Sequence, residues 1–213
     1  MTKEQDDECF ICGFNLAIFC MYFYDENESF YQNCKSLSSN DRNLLLREII
    51  YWRMTIVYKS AENKILTLVN YDDDKSNDII MSVMEGFYET LGKGLKLKGS
   101  FMERDDFISK KLDEYKKFDE VDLDYFLQKL RLDKKISRND LMHLRMDIPM
   151  QYIECKSVAS DMIEYLLASP EKKSLMKVGM KLLNQNNTTN KSKISCLNIF
   201  LVLILLLIVW IVI

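Results

Sequence analysis

Hydrophobic residues along this chain form short stripes at helical spacing through most of its length, then one unbroken apolar stretch, Cys196 to Ile213 (CLNIFLVLILLLIVWIVI). That stretch has no charge, no Pro and no Gly, and Asn198 is its main polar interruption. At about 1.5 Å per residue a helix of this length reaches roughly 27 Å, close to the hydrocarbon thickness of a bilayer. A helix buried in a small soluble domain should have one polar face, and this one is apolar on every side. It is predicted to be a transmembrane helix, with Leu201 and Leu205 in the bilayer and Trp210 anchoring the distal interface.

The upstream stripes predict a helical bundle. Phe10 to Tyr24 is nearly all apolar but short for a span and interrupted by Gly13 and Asn15, so it reads as a buried core helix. A second membrane crossing is the competing reading. A polar connection follows, with Phe30 and Tyr31 in a short helix, and the Ser39/Asn40 pair offers an N-cap for a long helix from near Asp41. Leu45, Ile49, Trp52 and Ile56 form one stripe of that helix and Leu46, Ile50, Met54 and Val57 the next, which marks it as central. Lys64 to Tyr71 suits a helical continuation better than a strand. Asn77 is expected to cap a helix from Asp78 to about Leu91, with Gly92, Gly94 and Gly99 in the loop beyond.

Ser100 and Glu103 fit the capping box S-x-x-E for a helix to about Phe118, with Phe107, Ile108, Leu112 and Tyr115 on its core side. Asp122 to Leu132 predicts a short helix and Ser137 to Asp147 another. Pro149 is expected to break the chain before a helix from Gln151 to Ala168. Ser169-Pro170 then opens a last helix to about Asn184. These elements define an all-α, multi-helix bundle over residues 1–183, a polar linker over 184–195 and a transmembrane tail anchor over 196–213.

Charge adds orientation. Lys172, Lys173, Lys177, Lys181, Lys191 and Lys193 precede the span against Glu171 alone, which places the N-terminal domain on the cytosolic side. With 29 basic and 32 acidic residues, net charge −3, no broad basic field exists, and nucleic acid is not an expected partner. The first residues are acidic where a secretory signal would be basic. In a cytosolic setting Cys9, Cys12, Cys20, Cys34, Cys155 and Cys196 are expected to be thiols.

Candidate chemistry is sparse. Cys9-x-x-Cys12 could chelate a metal or cycle as a dithiol, but one pair is half a zinc site and His143 is the sole histidine. No cofactor is implied. Gly94 to Ser100 imitates a phosphate loop without its lysine, and Asp140-x-x-His143 is half of a carboxylate-bridged metal motif. Asp72 to Asp74 and the acids of Asp119 to Asp124 read as solvated turns. Tyr152, Cys155, Ala159, Met162 and Leu166 form a stripe that is either a docking seam or an ordinary core face. Cys196, at the cytosolic edge of the span, is reachable by S-acylating enzymes.

A helical domain on a tail anchor resembles in layout the apoptosis regulators of the Bcl-2 class. The N-W-G-R signature of those groove proteins is absent, so the likeness is one of layout. The expected role is non-enzymatic: an interaction or adaptor protein whose partners are the lipid bilayer and another protein. A metal- or thiol-dependent protein using Cys9 and Cys12, and a two-span protein with residues 10–24 inserted, are the alternatives.

Overall fold

The structure is a computed structural model that describes residues 1–21, 34–69, 73–116 and 123–174. The chain divides into two compact units, Met1–Leu167 and Ala168–Ile213. Every regular element among the described residues is helical. Among the described residues the first unit is a bundle of six helices: α1 Lys3–Met21, α2 Ser39–Leu68, α3 Asp73–Gly94, α4 Phe101–Tyr115, α5 Leu123–Lys129 and α6 Arg138–Leu167.

Helix α2 is central, as its doubled stripe predicts. It packs on all five other helices, and every residue from Ile49 to Val57 is buried. Its cap is Ser38 rather than Ser39 or Asn40: the Ser38 hydroxyl accepts from the Asp41 N–H at 3.1 Å. The helix continues through Lys64 to Leu68, in agreement with the helical reading of that segment.

Helix α1 begins at Lys3, well before Phe10. Thr2 and Gln5 form a reciprocal cap, the Thr2 N–H donating to Gln5 Oε1 at 3.1 Å and the Gln5 N–H to Thr2 Oγ1 at 3.3 Å. The two most apolar upstream stretches suggest α1 against α2, yet α1 packs chiefly on α3. The reason is backbone proximity. A Cβ on Gly13 would sit 1.9 Å from the Val83 carbonyl oxygen, and one on Gly86 would sit 2.1 Å from that of Phe10. Ser82 donates to the Asp6 carbonyl at 3.0 Å, while Gly94 lies against Met21. Contacts that advance together along both helices make the pair parallel.

Further boundaries differ from the sequence pattern. Helix α3 starts at Asp73, so Asn77 is internal; acidic residues beside a helix N-terminus suit its dipole better than a turn. It also runs through Gly92 and Gly94. It stops in a Schellman turn, with Leu97 N–H donating to the Gly92 carbonyl and Lys96 N–H to that of Lys93, and Lys96 takes φ 52° where Gly is usual. Helix α5 ends the same way around Arg131, φ 56°, with the Leu132 N–H donating to the Leu127 carbonyl. In α6, Pro149 lies inside one continuous helix instead of separating two. Pro149 and Arg145 are both exposed, so water can satisfy the Arg145 carbonyl that proline leaves without its usual donor.

The capping box of α4 forms as expected: Ser100 N–H donates to Glu103 Oε2 at 2.7 Å and Glu103 N–H to Ser100 Oγ at 3.4 Å. In the second unit, Ser169 caps a helical turn over 170–174, Lys172 N–H donating to its hydroxyl at 3.3 Å. The continuation to Asn184, the linker, the span, residues 22–24 of the first apolar stretch and the Phe30/Tyr31 segment lie outside the described residues. No helix among the described residues, α1 included, is long and apolar enough to cross a membrane.

Candidate functional site

The five cysteines among the described residues, Cys9, Cys12, Cys20, Cys34 and Cys155, lie in the core. Cys9 and Cys12 share the buried side of α1, and Cys20 and Cys155 are fully buried on α1 and α6. Burial, then the neighbouring Cys9, pushes the Cys12 thiol up to about 12. Burial likewise takes Cys34 up to about 12 and Cys155 up to about 11. A nucleophile or metal ligand must be a thiolate, and these environments hold the proton on sulfur. Among the described residues no three His, Cys, Asp or Glu side chains converge in a group that could hold a metal ion.

Asp140 of the half metal motif is a structural clasp. It is buried, and its carboxylate accepts from the Ser36 N–H at 2.8 Å, fastening the turn before α2 to the start of α6. Burial alone would raise its carboxyl, but the bonds from Ser36 and Ser137 outweigh that and hold it below the ordinary range. The Gly94 to Ser100 segment is a helix end, its turn and a cap, with none of the strand that precedes a phosphate loop.

Two polar clusters have no motif in the sequence. Arg53 is 2% exposed, donates to the Phe19 carbonyl at 3.0 Å and to Gln151 Oε1, and stacks over the Phe19 ring at 4.6 Å. It caps the C-terminal end of α1 with positive charge and ties α1, α2 and α6 together. The second cluster joins α2, α4 and α5. Glu48 receives Lys129 at 2.6 Å, the Tyr115 hydroxyl, and Lys111 at 3.6 Å; Glu114 receives Lys111 at 3.0 Å and Lys129. Lys129 lies 5.0 Å from the centre of the Tyr115 ring and Lys111 5.1 Å from that of Tyr51. Burial and the Glu48 carboxylate keep the buried Tyr115 phenol protonated, so it donates to Glu48 rather than serving as a base.

The feature with the character of a binding site is the outward side of α6. Met142, Met146, Met150 and Ile153 are 54%, 66%, 64% and 61% exposed. Their spacing of four, four and three residues puts them on one face, opposite the buried Leu144, Cys155 and Ala159. A hollow of about 700 Å³ lies at its N-terminal end, lined by Arg138, Asn139, Leu141, Met142, Arg145 and Met146. Arg145 pairs with Asp124 at 3.1 Å. A smaller outward stripe, Ile11, Phe14 and Ile18, runs along α1. The stripe through Tyr152, Cys155, Ala159, Met162 and Leu166 faces inward, with Cys155 and Ala159 fully buried, so it is core. The anchor positions Cys196, Leu201, Leu205 and Trp210 lie outside the described residues. No family model, no curated protein and no solved structure matches the chain.

The α6 stripe was obscured in the sequence by Pro149, which invites division of the helix just where Met146 and Met150 belong to one face. Three methionines and an isoleucine at helical spacing are the signal that could have found it.

Proposed function

We propose that this protein is an interaction module: a helical bundle held at a bilayer by Cys196–Ile213, facing the cytosol and binding a protein partner through the outward face of α6. The observation that carries this reading is the set of four large apolar side chains, each more than half exposed, aligned on one face of a single helix. Scattered exposed hydrophobics need no explanation, but a contiguous stripe along one helix is a recognised mark of a docking surface. Methionine suits such a surface, because its flexible thioether adapts to the shape of a partner.

The polar clusters support the non-enzymatic reading by their bonding. Glu48, Glu114, Lys111 and Lys129 satisfy one another across three helices, and burial keeps the Cys12 and Cys155 thiols protonated. The uncharged 196–213 stretch supports the anchor. The test uses the full chain in native membranes with a photoreactive side chain in place of Met146, compared with one at exposed Lys110. Protein adducts at position 146 in excess of those at 110 are expected, together with release from membranes on deletion of 196–213. Equal labelling at both positions would overturn the docking face, and retention of the truncated chain after a high-salt wash would overturn the anchor.

A further inference from the structure

Helices α1 and α6 carry outward faces of opposite design. On α1 the exposed Glu4 and Asp7 lie on the same side of the helix as Ile11, Phe14 and Ile18, so that face is acidic in its first two turns and apolar thereafter. On α6, Arg138 and Arg145 edge the N-terminal half of a face whose remainder is Met142, Met146, Met150 and Ile153. Each face is turned away from the side of its helix that packs in the core. Cys9, Cys12 and Leu16 are buried on α1, and Leu144, Ile148 and Cys155 on α6. The two faces of one molecule are therefore presented to others.

We infer that the occupant of the α6 face is a second copy of this chain, whose α1 lies parallel to α6. This rests on the docking face proposed above and names its partner. With Ile18 level with Ile153, equal helical rise brings Ile11 level with Met146 and Phe14 close to Met150. The same register sets Glu4 beside the first turn of α6, where Arg138 stands, and Asp7 between Met142 and Arg145. The antiparallel alternative moves Glu4 and Asp7 toward the exposed Glu154 and Asp161, which repel them. Charge thus selects both the pairing and its direction.

The contact is heterologous, because each copy offers an α1 face to one neighbour and an α6 face to another, so it propagates as a row instead of closing into a pair. One helix laid on another buries less than the roughly 1,200 Å² of a stable free complex. Association is therefore weak in dilute solution and is strengthened where anchors confine the copies to one bilayer.

The test is disulfide trapping of the full chain in phosphatidylcholine vesicles. A chain carrying both Ile18→Cys and Ile153→Cys should give an oxidation-dependent ladder of oligomers whose linked peptides join positions 18 and 153, absent from the parent chain. Adding Glu4→Lys, or Arg138→Glu, should each lower the yield about tenfold through like-charge contact. Mixing those two variants, or combining both changes in one chain, should restore it. Both substitutions are at exposed positions, so unchanged thermal unfolding accompanies the expected loss. Linkage of 18 to 18 and 153 to 153 as often as 18 to 153, or a yield indifferent to the charge changes, overturns the inference. Flotation with the vesicles is scored separately. If the chain does not float, the anchor reading fails, while the same cross-link at high protein concentration in detergent still decides the docking.

Discussion

The parallel contact of α1 with α3 and the corner where α4 and α5 meet α2 solve the same packing problem by opposite means. The first is made by the absence of side chains: Gly13 and Gly86 let two backbones meet with no room for a single extra methyl group. The second is made by large and charged ones, with Trp52 edge-on to Phe126 at 6.3 Å and stacked on Tyr152 at 6.5 Å, and the Glu48/Lys129/Glu114/Lys111 network closing its rim. A glycine contact fails by steric overlap at any pH. A corner of paired charges fails by loss of a partner and depends on protonation.

Emptying the aromatic corner has the largest expected effect. Trp52 is 1% exposed, so Trp52→Ala should cost about 3–5 kcal/mol by chemical denaturation. Its buried indole N–H meets no acceptor among the described residues, which makes the ring's contribution one of packing. Filling the glycine contact comes next. Gly13→Ala or Gly86→Ala forces backbone against backbone and should cost about 1–3 kcal/mol, with no change in the denaturation midpoint's dependence on pH. Lys129→Met leaves Glu48 and Glu114 facing each other with one cation fewer, for an expected loss of about 1–2 kcal/mol that narrows in acid as Glu114 takes a proton.

Titration separates the two regions further. Burial raises the Glu114 carboxyl and its lysine partners lower it, with the net shift downward; Asp140 is shifted in the same direction by its bonds from Ser36 and Ser137. A carboxyl lowered in the folded state contributes its stability in full above its unfolded value, about 4, and loses it as pH falls through the folded value. Stability should therefore decline below about pH 4, and Asp140→Asn should flatten that decline in acid titrations monitored by circular dichroism. The alkaline side mirrors this. The Lys129 ammonium, raised by Glu114 and Glu48 against burial, and the Tyr115 phenol, raised by burial and Glu48, both lose their contribution as pH climbs above their ordinary values.

These contrasts explain what was legible in the sequence. The α2 stripes, the Ser100/Glu103 box and the Ser169 cap are local patterns that need no knowledge of neighbours, and each appears where the pattern puts it. The role of Gly13 depends on Val83 and Phe87, seventy residues away, so alone it reads only as an interruption. Asn77 and Gly92 look like punctuation, but the packed face of α3 carries the helix through both. Pro149 reads as a break because its cost is judged without knowing that it faces water. The candidate site was hidden for the same reason: spacing places Met142, Met146, Met150 and Ile153 on one face only after α6 is known to be continuous.

The smallest expected effect on stability is at that face, where Met150→Glu should change unfolding free energy by no more than about 0.5 kcal/mol, since a residue 64% exposed has little packing to lose. The most direct measurement of the central claim combines this variant with photo-cross-linking from position 146 in full chain on native membranes. A fall in protein adducts to the level seen at Lys110, with unfolding unchanged, is the predicted result. Undiminished adducts from position 146 in the Met150→Glu chain would contradict a docking face on α6.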